Sequence, residues 1–500
     1  MSFRDSSVVV IETGRTIVRA GLGLHDLLKQ PTIELQARVG LRRDLFTIET
    51  THDGSKTNGS LAASSSNTRV SSLPFHTSST AQIHDYLVGT QLDDALASGQ
   101  DIIVSWPFAD GDIRDWIQAE AIWKYVLFNR LQLRRSQNES PVLLSLFPGL
   151  ARSAYERVCQ IFFERLNVAG FCLLERPVGQ LYAANALSGV VVDIGYDKTD
   201  VTPIQDGFVS HHARACTTLG IRDCEAYLAS LLRSNQSVMN GLSPAASPLP
   251  EAELQTALLE LIKQIREEGH IKVPSDGETA VVEDEGITDI AAIVVAGKEK
   301  AVIESGMKKK ATAKASAAEQ ARAREIEALD LITVTFRGQE LTLGKERHRF
   351  CEPLFDPALL VDLSDQLKDR PLSLQETVGH AVMQVEVDQR QYVWAGLLAT
   401  GDLTRHVKGV GTALQSRLAP YISTNPELQT DVQARYIRTL HLPEYFPEYR
   451  DTGEGFAAFL GASIVAKITF HDSNSKNYVT KTDYSNNGPH AVIEMSPSLL

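Results

Sequence analysis

Two short runs carry residue types suited to a metal–phosphate group. The first is Ile11-Glu12-Thr13-Gly14-Arg15-Thr16; the second is Val192-Asp193-Ile194-Gly195-Tyr196, followed by Asp197-Lys198-Thr199-Asp200. In each, an acidic residue ends an apolar, β-branched run and a glycine stands two positions on. A carboxylate at a strand end can face a cation, and glycine in the next turn lets backbone amides approach phosphate oxygens. An ordinary tight turn has the same pattern, so the spacing alone leaves both readings open. Arg15 adds a charge that suits either a phosphate or a salt bridge. His211-His212 lacks cysteine or carboxylate partners at metal-ligand spacing and reads as structural, so no metal centre is expected.

The elements that would position these turns follow from hydrophobic periodicity. Residues 7–12 and 16–22 read as the two strands of a hairpin, and 101–107 as a strand into a turn. Residues 112–133 read as a helix with Ile113, Trp116, Trp123 and Leu127 on one face. A strand from Pro141 and a helix from Ser153 to Leu166 follow, the helix carrying Val158, Ile161, Phe162 and Leu166. Then come a strand from Phe171, a short helix from Gln180 to Leu187 and a buried strand over 189–193. A helix is expected from Leu254 to Glu268 and a strand from Leu331. This alternation of β and α elements predicts an α/β body.

The chain has 500 residues, 43% hydrophobic and 22% charged, which suits about three domains or one large bilobal body. Its charge sum, 49 − 62 = −13, argues against wrapping of nucleic acid by the whole molecule but leaves room for a local basic patch. Cys159, Cys172, Cys216, Cys224 and Cys351 are odd in number and widely spaced, which points to a reducing compartment without structural zinc. The N-terminal residues lack the pattern of a signal peptide, and apolar runs such as 290–296 fall short of the ~18 residues that span a bilayer, so a soluble intracellular protein is expected. Residues 51–80 are rich in Ser, Thr, Asn and Gly and are expected to form a disordered loop. Residues 275–330 hold the acidic Glu283-Asp284-Glu285, an apolar run and an Ala/Lys/Glu/Arg-rich piece, together an exposed helical insertion. Its Lys308-Lys309-Lys310, Lys314, Arg322 and Arg324 suit an import signal, a contact patch or simply a solvated helix of mixed charge. No repeat of fixed period is visible.

Further matches in chain order resemble actin and the actin-related proteins. Arg19-Ala-Gly-Leu22 resembles K-A-G-F, and Pro107 to Trp116, with Trp123 seven residues on, resembles P-I-E-H-G-I-V-T-N-W and its following tryptophan. Pro141-Val-Leu-Leu144 resembles P-V-L-L, and Gln160-Ile-Phe-Phe-Glu164 resembles Q-I-M-F-E. Leu181-Tyr-Ala183 and Val192-Asp-Ile-Gly195 continue the series. Residues 344–357, GKERHRFCEPLFDP, resemble G-N-E-R-F-R-C-P-E-A-L-F-Q-P along their whole length, and Phe459-Leu-Gly-Ala-Ser-Ile464 resembles W-I-G-G-S-I.

The departures from that pattern bear on activity. Where actins read D-N-G-S-G, this chain reads Glu12-Thr-Gly-Arg-Thr16, and a side chain at Thr16 obstructs the approach of phosphate to the backbone. Arg176 stands where the family has the glutamine that orients the attacking water; a guanidinium accepts no hydrogen bond and is expected to pair with Asp193 or Glu12 and fill the metal position. Asp200 stands at the family's second water-contacting position. Tyr196-Asp197 replaces the D-G of the second turn. The adenosine-side turn is matched by 400–409, about two residues longer, with Gly401 and the carboxylate of Asp402 in it. Lys263 and Glu267 fit the helix that flanks adenine, or a solvated face, and Gly455 stands at the family's lysine. The resemblance thus implies a degenerate nucleotide cleft of Glu12, Gly14, Arg15, Asp193, Gly195, Lys263, Glu267 and Gly401, blocked by Arg176 and Asp200, with no catalytic residue.

The implied fold is the two-lobed α/β actin-type ATPase fold of the actin/hexokinase superfamily, four subdomains around a central cleft. Subdomain 1 would take 1–35, 107–183 and 457–500; subdomain 2, 36–106; subdomain 3, 184–219 and 363–456; and subdomain 4, 220–362. The hydrophilic loop at 51–80 would disfavour self-polymerisation. The chain is most similar to divergent nuclear actin-related proteins of the SWI/SNF and RSC chromatin-remodelling complexes. That implies a nuclear scaffold, not an enzyme, requiring no cofactor, with ATP left open as a ligand. Its partners would be another actin-related protein, as a heterodimer, and a long helix of a remodeller ATPase seated near Ala462-Ser-Ile-Val465 and the 141–166 region. Contact with chromatin would be indirect, and no membrane is involved. A working actin-like ATPase, with Arg176 swung clear, and a cytoplasmic dynactin-type subunit are the alternatives.

Overall fold

The computed structural model describes residues 3–25, 28–45, 81–244, 248–274, 330–363, 370–422, 434–471 and 477–496. The expected loop at 51–80 and nearly all of the insertion at 275–330, with its lysine run, lie outside the described residues. The chain divides into two compact units: Met1–Gln180 with Ala458–Leu500, and Leu181–Ala457.

In the first unit, the apolar opening run forms β1 (Val9–Thr13), buried along its length, and returns as the antiparallel β2 (Ile17–Leu22). The Gly14 N–H closes the turn by donating to the Ile17 carbonyl at 2.8 Å. Strand β3 (Ile33–Gln36) pairs with β2, and β4 (Val39–Arg42), β5 (Leu87–Val88) and β6 (Ile102–Ser105) make a separate three-stranded sheet. Strands β7 (Pro141–Leu146) and β8 (Gly170–Glu175) extend the main sheet in parallel from β1, and Val479–Thr480 forms its edge. Parallel neighbours need crossovers, which are supplied by the helices Trp116–Lys124 and Arg152–Gln160. Both helices end in a wider turn in which an N–H bonds five residues back, Leu131 to Val126 and Leu166 to Ile161. Alternation along the strands sends Ile11, Val18, Leu144 and Phe171 into a core with Trp123 and Phe162, and turns Glu12 and Arg19 to the opposite face.

That second face is covered by the helices Arg176–Ala183 and Ala457–His471. A Cβ on Gly21 would touch the Phe459 ring, and a Cβ on Gly461 would collide with the carbonyl of Gly179. The G of the W-I-G-G-like segment is therefore a helix-crossing point. Two expectations need correction here. The short helix begins at Arg176, four residues before Gln180, because Pro177 is tolerated in the first helical turn, where its missing N–H has no intrahelical partner. The helical stretch Gly453–His471 is also long and apolar enough to cross a membrane by composition, with mean hydropathy 1.2, but 72% of it is buried, as befits a core helix. Of the four residues assigned to a helix-binding groove, Ala462, Ser463 and Val465 are buried, and only Ile464 reaches the surface.

The second unit repeats the plan. Strands β9 (Gly189–Ile194) and β10 (Thr199–Gln205) form a hairpin, extended by β11 (Phe208–Val209) and β12 (Ala215–Thr217) on β10. The Gly195 N–H closes the hairpin turn on the Lys198 carbonyl at 3.0 Å, as Gly14 does in the first unit. A β13–β14 hairpin (Ile332–Phe336, Gln339–Leu343) stands apart, and β15 (Leu397–Thr400) lies parallel to β9 as β7 does to β1. The repeat is one of topology and turn chemistry, which is why a search for a fixed period misses it.

The segment 344–357 owes its arginine to a clamp. Arg347 is buried; its Nε donates to the His270 carbonyl (3.0 Å), its Nη1 to the Asp330 and Gly344 carbonyls (2.6 and 2.5 Å), and its Nη2 pairs with the Asp330 carboxylate (2.8 Å). His348 accepts the Lys272 N–H on Nδ1 (3.1 Å) and meets Asp330 through Nε2 (2.7 Å). Residues 270–272 and 330, which flank the insertion, are thereby tied together.

Candidate functional site

Glu12 is fully buried at the end of β1, and Arg19 stands opposite it on β2, only 2% exposed. Arg19 Nη1 donates to Glu12 Oε1 at 3.3 Å, and its Nε reaches Glu34 Oε2 at 3.5 Å on β3. Arg176, first residue of the helix after β8, donates its Nε to the same Glu12 Oε1 at 3.0 Å. Glu12, one of the two expected partners of Arg176, is engaged by it. One carboxylate oxygen thus holds two guanidinium groups, while Oε2 is buried with no hydrogen-bond partner among the described residues. Burial of three charged groups is tolerated because each faces an opposite charge.

The rest of the first turn is fixed by packing. Thr13 Oγ1 accepts a hydrogen bond from the indole of Trp123 at 3.1 Å, inside the core. A Cβ on Gly14 would fall 2.8 Å from the Ile17 carbonyl, so the turn requires glycine. Arg15 Nη1 donates to the Ala109 carbonyl at 3.2 Å, and its guanidinium lies where a Cβ on Gly111 would come within 2.7 Å. Two participants were missed from sequence. Arg19 was seen only as part of a family match, although a cation two strand positions from a hairpin turn faces the strand-end acid. Glu175, buried beside Arg176, accepts from Gly149 N–H (2.9 Å) and Tyr155 Oη (3.0 Å); a charge ending a wholly apolar strand was its signal.

In the second unit Asp193, largely buried, lies near the end of β9, and Asp200 lies directly across from it on β10. Like charges at facing positions are unfavourable. Gly401 adopts φ +103°, and a Cβ there would come within 2.6 Å of Asp193 Oδ1 and 2.5 Å of the Ile194 carbonyl. The chain therefore brings Asp193, Gly195, Asp200 and Gly401 together, and glycine at 401 is required by both backbone angle and space. Tyr196, at the family's aspartate position, donates to Glu225 Oε2 at 3.2 Å; burial and that carboxylate push its phenol up to about 12. Burial also raises the Glu225 carboxyl, against the pull of Arg266 at 3.4 Å. Asp197 pairs with Arg222 at 2.8 Å. Lys263 and Glu267 face each other across one helical turn at 4.0 Å, both more than 45% exposed, an arrangement that by itself stabilises by only a few tenths of a kcal/mol.

Gly455 explains its own departure from the family's lysine. A Cβ there would meet Arg405 at its Cα (2.7 Å) and N (2.9 Å), so the longer 400–409 turn occupies the space of any side chain. The Arg405 guanidinium stacks 4.6 Å over the Phe456 ring. Two adjoining surface hollows, of about 260 and 460 Å³, share Arg450, Gly453 and Glu454; the smaller is lined by Thr404, Val407, Lys408 and Gly409 of the 400–409 turn, while Gly401 lines neither.

The family described as actin matches residues 3–496. The chain is also 28% identical, over 545 aligned residues covering 98% of it and 99% of the relative, to a Schizosaccharomyces pombe protein described as "SWI/SNF and RSC complexes subunit arp9".

Proposed function

The chain belongs to the actin family, and from that premise we propose that it is a non-catalytic, nuclear actin-related subunit of a chromatin-remodelling complex. The fission-yeast relative, similar along its entire length, supports the assignment to complexes of the SWI/SNF and RSC kind. The observation that carries the non-catalytic part is the double engagement of Glu12 by Arg19 and Arg176. Family members use this turn and its counterpart around Asp193 for nucleotide and metal, and the residues of the first turn do not fit a metal–phosphate group. A divalent cation on Glu12 at about 4 Å from the Arg176 guanidinium would meet repulsion of about 8 kcal/mol at an effective dielectric of 20. Arg176 also lacks the acceptor that would hold a water for in-line attack. The turn around Asp193 keeps Gly195 and is faced by Gly401, although Asp197 stands in place of the family's second glycine; this leaves weak ATP binding as a structural option and hydrolysis without its positioning groups.

On this reading the protein is a rigid interaction module that pairs with another actin-related protein and receives a long helix of a remodeller ATPase. The helix Ala457–His471 supports such a contact, since it turns Ile464 and the 66%-exposed Ile468 outward one helical turn apart. The test is purification of the tagged protein with identification of the chains that accompany it, joined to a single-turnover assay with magnesium-ATP. The expected result is a second actin-related protein and a remodeller ATPase, lost when the remodeller's helix is deleted, with no hydrolysis in the wild type. Sustained turnover, association that survives deletion of the helix, or recovery of dynactin components would overturn the reading. Arg176→Gln serves as the control that shows whether the assay can detect a relieved site.

A further inference from the structure

The molecule carries thirteen more negative than positive side chains, yet one face of its first unit is basic. The helices Trp116–Lys124 and Arg152–Gln160, with their widened last turns, lie side by side, joined where Arg157 stacks 4.7 Å over the Trp116 ring and where Trp123 meets Phe162. Along this seam Lys124, Arg135, Arg157 and Arg165 are all exposed and surround the half-buried Glu120. Two of the acidic residues interleaved with them in sequence are engaged with other partners: Glu156 bonds His490 at 2.8 Å, and Glu164 bonds Tyr484 at 2.8 Å and Gln160 at 3.2 Å. Arg135 is braced on the Glu164 carbonyl at 3.1 Å. Lys124, Arg157 and Arg165 make no ion pair among the described residues. We infer that this face is a docking surface for an acidic segment of a partner polypeptide.

Charge complementarity chooses the occupant. Three of the four cations are arginines, whose planar forks suit carboxylates, and Arg157 is pre-oriented by its stacking on Trp116. Glu120 sits in the middle of the cations, where it would repel a continuous line of phosphates but could accept an N–H or ammonium from a peptide of mixed charge. The chain's remaining charge is on balance acidic and repels a long polyanion such as duplex DNA where it runs past the patch within a Debye length, roughly 10 Å, of the surface. A short acidic segment touches only the patch. This inference does not depend on the chromatin assignment.

The experiment is fluorescence anisotropy on the full chain with a labelled, helix-forming Glu/Ala peptide, and in parallel with a labelled DNA duplex, at low and physiological salt. The peptide is expected to bind in a salt-sensitive way. The double reversal Lys124→Glu with Arg165→Glu, at two exposed residues without ion-pair partners, should weaken it by about tenfold. Arg43→Glu, in the same unit but already paired with Asp101 at 2.7 Å, should not. Glu120→Gln should tighten the peptide severalfold, a response that a merely structural role for the face does not produce. Unchanged thermal unfolding of the double variant establishes that the fold is intact; should it unfold early, Arg157→Gln is read in its place. Failure of the peptide to bind at low salt, binding indifferent to the reversals, or tighter binding of the duplex would each overturn the inference.

Discussion

The arrangement around Glu12 makes a prediction whose sign is diagnostic. A carboxylate held in reserve for a cation is a buried charge without compensation, and its neutralisation relieves the cost, so such substitutions commonly stabilise a protein in the absence of ligand. Here the Glu12 side chain is 1% exposed and its Oε1 lies 3.3 Å from Arg19 and 3.0 Å from Arg176. Glu12→Gln would leave two guanidinium groups facing a neutral amide. Arg19, itself almost fully buried, would lose its fully buried counter-charge and be left facing Glu34, a third exposed and 3.5 Å away. Removing one partner of a buried ion pair costs about 3–5 kcal/mol. Arg176→Gln is milder, because Glu12 retains Arg19 and the 14%-exposed Arg176 is nearer solvent; the lost charge-assisted bond is worth about 2 kcal/mol. The order of damage is therefore Glu12→Gln, then Arg176→Gln, then wild type. For the unit that holds all three residues, the larger loss corresponds to a fall in Tm on the order of 10 °C. Thermal unfolding should be followed by circular dichroism together with a probe local to that unit, since two units need not melt as one. A Glu12→Gln protein as stable as the wild type, or more so, would refute the reasoning, as would Arg176→Gln proving the worse of the two.

Three further outcomes follow from the same geometry. Gly461→Ala drives a methyl into the Gly179 carbonyl at a helix crossing, where backbone cannot yield cheaply, and should cost about 3 kcal/mol in urea unfolding. Gly455→Lys, which restores the family's residue type, should destabilise the second unit by about 2 kcal/mol because the Arg405 backbone lies within 3 Å of the new Cβ, and calorimetry should detect no gain in ATP affinity. His348 titrates below its ordinary value because of burial and then the neighbouring Arg347, with Asp330 opposing them and Lys272 adding to them. The folded chain then holds fewer protons than the unfolded one near and below pH ~6.5, so this contribution is complete above that pH and lost as the pH falls through the folded value. His348→Gln should flatten stability against pH over that acid range, and an unchanged slope would count against the clamp.

Much of the fold could be read from short-range pattern. The strands at 9–13, 141–146 and 189–194 are continuous apolar runs, and the helices at 152–165 and 251–267 have clear helical spacing, so local signals and tertiary burial agree. The glycines of the two hairpin turns were legible for the same reason, since a tight turn after a strand-end acid leaves few alternatives. What was not legible came from contacts distant in sequence. Arg19 and Arg176 meet on Glu12 across 157 residues; the family resemblance points Arg176 toward that carboxylate, but no sequence pattern shows that Arg19 shares it. The exclusion of a side chain at 455 is enforced by a loop fifty residues earlier, so Gly455 alone reads as a loss and not as an accommodation. Lys263 and Glu267 show the converse: helical spacing fits both an adenine flank and a solvated pair, and the fold displays them as an exposed pair.

The knot that Arg347 ties between residues 270 and 330 has an evolutionary corollary. Since the two stems are fastened to each other through Arg347 and His348, which lie outside the intervening stretch, a change in its length carries mainly a loop-closure cost; doubling a closed loop costs only about 0.6 kcal/mol. Mutational drift in that stretch is thereby uncoupled from the survival of the scaffold, and lineages are free to trial new sequence there, much as a bolted flange lets fittings be exchanged without disturbing the pipe.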